Sequence, residues 1–218
     1  MTADKLLDTA WVVDWTRRSA AAVTDNREEL NALDAAIGDG DHGTNLCRGL
    51  EAALAKLDAA AQAGAAPQTP GSALKAVATS LLATVGGASG PLLGTAYLRA
   101  SRSGALEELD AAAVAGLIEA ACAGVEVRGR AEPGDKTMLD AWRPAALAAR
   151  AAADAGAGPA EVLAEAARAA AQGARSTEPM AARKGRASYH GARSRGHRDP
   201  GAQSTALLLE AASRAAGA

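Results

Sequence analysis

Helices packed on helices, with no sheet, are what this sequence specifies. Of its 218 residues, 62 are alanine, the strongest helix former and small enough to let helices approach closely. The residues that build strands are scarce: there is no phenylalanine, and aromatics make up 2% of the chain. Apolar residues also recur at helical spacing in one segment after another. With 49% hydrophobic residues the chain can bury a sizeable core, which excludes general disorder. The length suits one domain, expected over residues 1–218.

In chain order, Leu7, Trp11 and Trp15 start the first apolar stripe. Leu30, Leu33 and Ile37 make a second. Leu46, Leu50, Leu54 and Leu57 make a third, and Leu74, Val77, Ala78, Leu81 and Val85 a fourth. Leu93 and Tyr97 belong to a short fifth. Val114, Leu117, Ile118, Ala121 and Val125 form a sixth. Two alanine-rich helices are expected around 137–156 and 159–175, and a last one runs through Leu207 and Leu208. The sum is about eight or nine helices with no strand between them.

Charge narrows the function classes. The net charge of −2 is a poor profile for a nucleic-acid binder. Cys47 and Cys122 lie far apart with no metal-ligand spacing, so neither a disulfide framework nor a zinc site is indicated. The N-terminus carries acids and no basic start, unlike a signal peptide. Alanine tracts are interrupted by Asp, Glu and Arg, so no apolar run reaches the length of about 18 residues that a membrane span needs. A cytoplasmic protein with no nucleic-acid and no membrane partner is expected.

The breaks between helices carry the chemistry. AGAAPQTPG (63–71) reads as a plain spacer. Four others are richer: IGDGDHGTN (37–45), GGASGPLLG (86–94), RGRAEPGDKTM (128–138) and RKGRASYHGARSRGHRDPGAQS (183–204).

In the first, a helix should end near Ile37, with Gly38 as its C′ residue. Asp34 then faces the negative end of the helix dipole, which disfavours a carboxylate. Asp39 and Asp41 follow within a tight turn. Three carboxylates so close repel unless a cation lies between them, and hard oxygen ligands suit Mg²⁺ or Ca²⁺. The plainer alternative makes Asp39 and Asp41 turn residues, with Asp41 the N-cap of the next helix. Gly43, Thr44 and Asn45 open that helix, and their amides are expected to point back at the acidic turn, a place for a polyphosphate.

In GGASGP, Gly87 can take left-handed angles and Pro91 suits the first position of a helix. Ser89 offers a hydroxyl and an amide to an anion. A plain helical corner needs fewer glycines. GRAEPGDKT (129–137) resembles a P-loop only faintly: Asp135 separates Gly134 from Lys136, and no strand precedes it, so a Walker A site is rejected. From Arg183 to Arg198 stand Arg183, Lys184, Arg186, Arg193, Arg195 and Arg198, with His190 and His197 among them. A solvated charged loop is the plain reading, and a phosphate-steering rim the functional one. Either histidine could carry a phosphoryl group or act as a base, though surface histidines are commoner. Met138 and Trp142 share a helical face and read as core, with base stacking open to the Met138 thioether.

Together IGDGDHGTN, GGASGPLLG, AEPGDKTMLDAWRP and GRASYHGARSRGHRDPGA resemble the nucleotide-binding (DhaL) subunit family of dihydroxyacetone kinase, in the family's order from residue 34 to residue 204. The resemblance implies a barrel of eight amphipathic antiparallel helices with the nucleotide at one end. It implies that Asp34, Asp39 and Asp41 hold two Mg²⁺ ions that bridge the phosphates of ADP. It assigns nucleotide contacts to His42, Gly43, Thr44 and Asn45, to Ala88 and Ser89 in the phosphate loop, to Gly129, Met138 and Arg186, and to Asp199, Pro200 and Gly201. No catalytic residue is assigned to this chain, because dihydroxyacetone is held through a histidine on a separate kinase subunit.

In the branch linked to the sugar phosphotransferase system, a phosphohistidine carrier subunit phosphorylates resident ADP in place. The ATP so formed passes its γ-phosphoryl to the substrate. The short chain favours that branch over one with freely exchanging ATP. Phosphoryl transfer of this kind rests on positioning and charge neutralisation. The alternatives are an ATP-dependent kinase subunit for dihydroxyacetone or another keto-sugar, a Mg²⁺-dependent hydrolase of nucleotides or ADP-ribose conjugates, and a non-catalytic nucleotide-binding module.

Overall fold

The computed structural model describes residues 5–217. Its helices are α1 (Thr9–Asp25), α2 (Arg27–Ile37), α3 (His42–Gln62), α4 (Pro70–Thr84), α5 (Ser89–Ser103), α6 (Ala111–Gly129), α7 (Leu139–Asp154), α8 (Pro159–Ser176) and α9 (Pro200–Ala216). A 3-10 run, Arg186–Ser194, lies between α8 and α9. Among the described residues no strand forms, and one isolated bridge joins Leu7 to Leu109. No helix among them is long and apolar enough to cross a membrane.

Local chemistry sets the helix starts. Asp8 and Asp110 accept the amides of Trp11 and Ala113 at 3.2 and 2.8 Å, and Thr69 forms a capping box with Ser72. Pro70, Pro159 and Pro200 open their helices, where a missing N–H costs nothing.

Packing runs from α3 through α4, α5, α6, α7, α8, α9 and α1, and α1 returns to α3. Eight helices therefore close into a ring, the barrel implied by the family resemblance. α2 stands outside the ring, against α3 and α9 at one end. Within it, Trp11 stacks on Trp15 with centroids 5.2 Å apart, and Trp15 stacks on Tyr97 at 5.3 Å. The two indole N–H groups donate to the carbonyls of Ala212 and Leu208 at 3.0 and 2.8 Å, fastening α1 to α9. Elsewhere the ring closes on small residues. A Cβ at Gly173 of α8 would sit 2.2 Å from the Asp140 carbonyl, so this α7–α8 approach requires glycine.

Three local expectations are corrected. α5 is 15 residues long, not short, because Ala96 and Ala100 continue the buried stripe of Leu93 and Tyr97. It starts at Ser89, so Pro91 is its third residue rather than its first. Residue 38 is the C-cap of α2, with φ −151 and ψ −135, outside the left-handed region usual for glycine past a helix end.

Candidate nucleotide and metal site

At one end of the ring, the α2–α3 turn, the α4–α5 turn, the loop before α7 and the start of α9 meet around a cleft. Residues 184–187, at the start of the basic strap between α8 and α9, complete its wall.

The acidic turn is built by hydrogen bonds. Asp34, in the last turn of α2, accepts the amides of Asp41 and His42 through Oδ2 at 2.9 and 3.2 Å. Asp34 thereby caps α3 from outside. Asp41 occupies the N-cap position but makes no side-chain cap. Its carboxylate is left for the cleft, which favours the cation reading over the plain turn. Asp34, Asp39 and Asp41 each bring an oxygen within 4.8 Å of the others. A Cβ at Gly38 would lie 2.2 Å from Asp34 Oδ1, so size rather than left-handed geometry demands glycine there. Burial raises the Asp34 pKa, the Asp41 amide opposes it, and the Asp39 charge raises it further. An oxygen-only cluster with this mutual repulsion fits a hard divalent ion. Arg186 forms an ion pair with Asp39.

His42 is buried between two hydroxyls. Its Nε2 lies 2.9 Å from Ser204 Oγ, and its Nδ1 lies 3.1 Å from Ser89 Oγ. The Ser204 hydroxyl donates to the Gly201 carbonyl at 3.0 Å. Those partners assign the proton to Nε2, and Nδ1 accepts from Ser89. The Ser89 hydroxyl is thus committed to His42, and its backbone amide is the group left for an anion. Burial pushes the His42 pKa down to about 4 against the opposing charge of Asp41, so the ring is neutral.

The first helical segment divides. His42 and Asn45 line the cleft, whereas Gly43 and Thr44 do not. Asn31 of α2 takes the Thr44 amide at 3.1 Å and donates to its hydroxyl at 2.9 Å. A Cβ at Gly43 would meet the Arg27 carbonyl at 2.4 Å. The Asn45 amide donates within the helix to Asp41. The expectation that these amides point at the acidic turn is corrected for Thr44 and Asn45, whose amides have partners within the fold, and Gly43 is also needed for packing.

Ala88 and Ser89 line the cleft at the start of α5, after Gly87 at φ +65. Pro200 and Gly201 line it at the start of α9, and α3 starts at His42. Three helix N-termini thus converge there, and their positive dipole ends favour an anion. Asp199 caps α9 by accepting the Ala202 amide at 2.8 Å, and burial raises its pKa to about 7. Gly129 lies in an adjoining apolar cleft with Leu92, Val125 and Ala131. Met138 is buried yet borders both clefts, while Trp142 is core. His190 and His197 line neither cleft.

Lys136, read from the sequence only as part of a failed P-loop, is the residue whose role that reading missed. It is fully buried at φ +63, and its Nζ donates to a cluster of carbonyls. The available signal was a lone cation in a short Gly-Asp loop that belongs to no helical stripe.

A helical ring with carboxylates, three helix N-termini and an apolar slot at one end defines a class: an all-helical domain built to take a metal-bound polyphosphate with an apolar attachment. Comparison with known proteins narrows the class. The chain belongs to the DAK2 domain family, whose model matches residues 36–214. It is 39% identical over 200 residues to the PEP-dependent dihydroxyacetone kinase, ADP-binding subunit DhaL, of Escherichia coli strain K12, covering 91% of this chain and 93% of that one. It is 41% identical over 190 residues to the L-erythrulose 1-kinase of Mycolicibacterium smegmatis, covering 86% of this chain and 32% of that longer protein. The crystal structure of the dihydroxyacetone kinase from C. freundii in complex with AMP-PNP and Mg²⁺ superimposes with a TM-score of 0.67 at 25% identity, covering 98% of this chain and 36% of that one. The chain thus spans about a third of each of these two longer kinases.

Proposed function

We propose that this chain is the ADP- and Mg²⁺-binding subunit of a PEP-dependent dihydroxyacetone kinase, acting as one domain over residues 1–218. A phosphohistidine carrier subunit supplies the phosphoryl group, and bound ADP, alternating with ATP, relays it to dihydroxyacetone on a partner kinase subunit. The setting is the cytoplasm. One observation carries the reading: the acidic trio and the N-termini of α3, α5 and α9 share one cleft.

Asp34, Asp39 and Asp41 would hold two Mg²⁺ ions. Held there, Mg²⁺ would neutralise phosphate charge. The chain's own residues do the rest. The Ser89 amide and the start of α9 bind phosphate oxygens, and Asn45 lines their path. Arg186 moves its charge from Asp39 to the phosphates. Gly129 and Met138 bound the slot for the base. Gly43 and Thr44 hold α3 against α2, so that Asp34 and Asp41 stay together.

Purified protein is expected to keep ADP and Mg²⁺ through gel filtration. Given its kinase subunit, it should phosphorylate dihydroxyacetone rapidly with the PEP-driven carrier relay and poorly with ATP. Rapid turnover with ATP alone and fast exchange of labelled ADP would overturn the relay. Those results would favour the second reading, an ATP-dependent keto-sugar kinase subunit, which the resemblance to the erythrulose kinase supports.

A further inference from the structure

Lys136 sits in the loop between α6 and α7, wholly shielded from solvent. Its Nζ donates to the carbonyls of Thr177 at 2.9 Å, Met180 at 3.1 Å and His197, with the Glu178 carbonyl at 3.5 Å. An ammonium has three donors, and these carbonyls use them all. Nothing is left for a phosphate, which separates this lysine from a P-loop lysine.

Thr177 and His197 bracket the basic strap, so one ammonium holds both ends of it. Next door, Asp135 holds the strap interior: Arg183 donates to its carboxylate at 2.9 Å and to its carbonyl, through the backbone, at 3.0 Å. The strap in turn carries Arg186 to Asp39. The left-handed backbone at Lys136 is one that side chains rarely adopt, and it places the stem on the cleft wall and the head among the carbonyls. A neutral side chain here would leave those buried carbonyls short of donors.

We propose that Lys136 is a positioning residue: an internal cation that pins both ends of the strap and so holds Arg186 over the carboxylate cluster. Its effect on ADP rests on the function proposed above. The pin itself is a property of the unliganded protein.

The test uses unliganded protein and trypsin, which cuts the strap at its arginines and Lys184. Lys136→Met keeps the stem and removes the charge. Lys136→Ala opens room for propylammonium, the missing atoms of the side chain. In both variants, strap cleavage should be about tenfold faster than in wild type, with helix content retained, because cleavage follows the opened population. Propylammonium should restore protection to Lys136→Ala, and 1-propanol, which fills the space without charge, should not. Lys136→Met should also release ADP several-fold faster.

Cleavage within twofold of wild type, or equal rescue by 1-propanol, would overturn the pin. A loosened strap with unchanged ADP release would overturn the positioning role. Absence of ADP binding in wild type would remove the proposed function while leaving the trypsin result to judge the pin. Should the variants not fold, nitrogen NMR of intact protein decides: one of the five lysine ammonium groups should be protected from exchange, and five freely exchanging groups would refute the proposal.

Discussion

Asp41 begins a helix without capping it, and the Asp34 side chain reaches across from α2 to do so. That arrangement leaves the Asp41 carboxylate out of the helix cap and on the cleft wall. Asp39→Asn and Asp41→Asn should each lower Mg²⁺-dependent ADP affinity by about tenfold or more, since even outer partners of metal ligands cost roughly 10–100-fold. Calorimetry with matched helix content by circular dichroism checks this. Arg186→Ala should cost about 1.5–3 kcal/mol of ADP binding and Arg195→Ala well under 1, because a charge-assisted bond exceeds an exposed steering charge. Equal losses would reduce the strap to diffuse attraction.

Two buried groups set opposing pH slopes. Asp199, raised to about 7, binds its proton more tightly folded than unfolded, so its contribution to stability is lost as pH rises from about 4 to 7. His42, lowered to about 4, binds its proton less tightly folded, so its contribution grows as pH rises from about 4 to 6.5. Asp199→Asn keeps a side chain able to cap α9 and removes the first slope. Thermal unfolding of nucleotide-free protein should therefore show this variant gaining on wild type as pH rises from about 4 to 7. A constant difference would contradict the burial of Asp199.

Among the helices, the α7–α8 contact is the closest test of alanine-and-glycine packing. Gly173→Ala must displace the Asp140 carbonyl or the Pro144 ring, which a new Cβ would meet at 2.2 and 2.9 Å. Overpacking of this kind costs about 1–3 kcal/mol, readable by urea unfolding. Helix identity was legible from stripes of large residues, and the alanine-rich α7 and α8 were bounded to within two residues, but the length of α5 was not legible. α5 shows why: Leu93 and Tyr97 announce it, while Ala96 and Ala100, both buried, look like filler until they meet α4 and α6.

Over the whole molecule, three loops, the start of α9 and one strap meet at the cleft end of the ring, so binding should tie together parts far apart in sequence. ADP with Mg²⁺ at about 100 times its dissociation constant should stabilise the fold by about 2.7 kcal/mol, raising Tm. Removing Mg²⁺ with EDTA should abolish most of that shift, because the carboxylates then repel the phosphates. A Tm shift by ADP that is indifferent to EDTA would separate the acidic trio from the nucleotide.

The sequence by itself determined the helical class and the acidic, glycine-rich and basic segments, because composition, periodicity and local spacing are properties of neighbours along a chain. It placed Asp34, Asp39 and Asp41 together, since a helix end and a four-residue turn allow little else. Only the tertiary structure decided which groups remain free for a ligand. The Ser89 hydroxyl is taken by His42, and the Thr44 amide is taken by Asn31. Lys136, dismissed as a failed phosphate lysine, is spent on carbonyls forty and more residues away. Hydrogen-bonding capacity is finite, and which partner claims it depends on groups that folding brings together from distant parts of the chain.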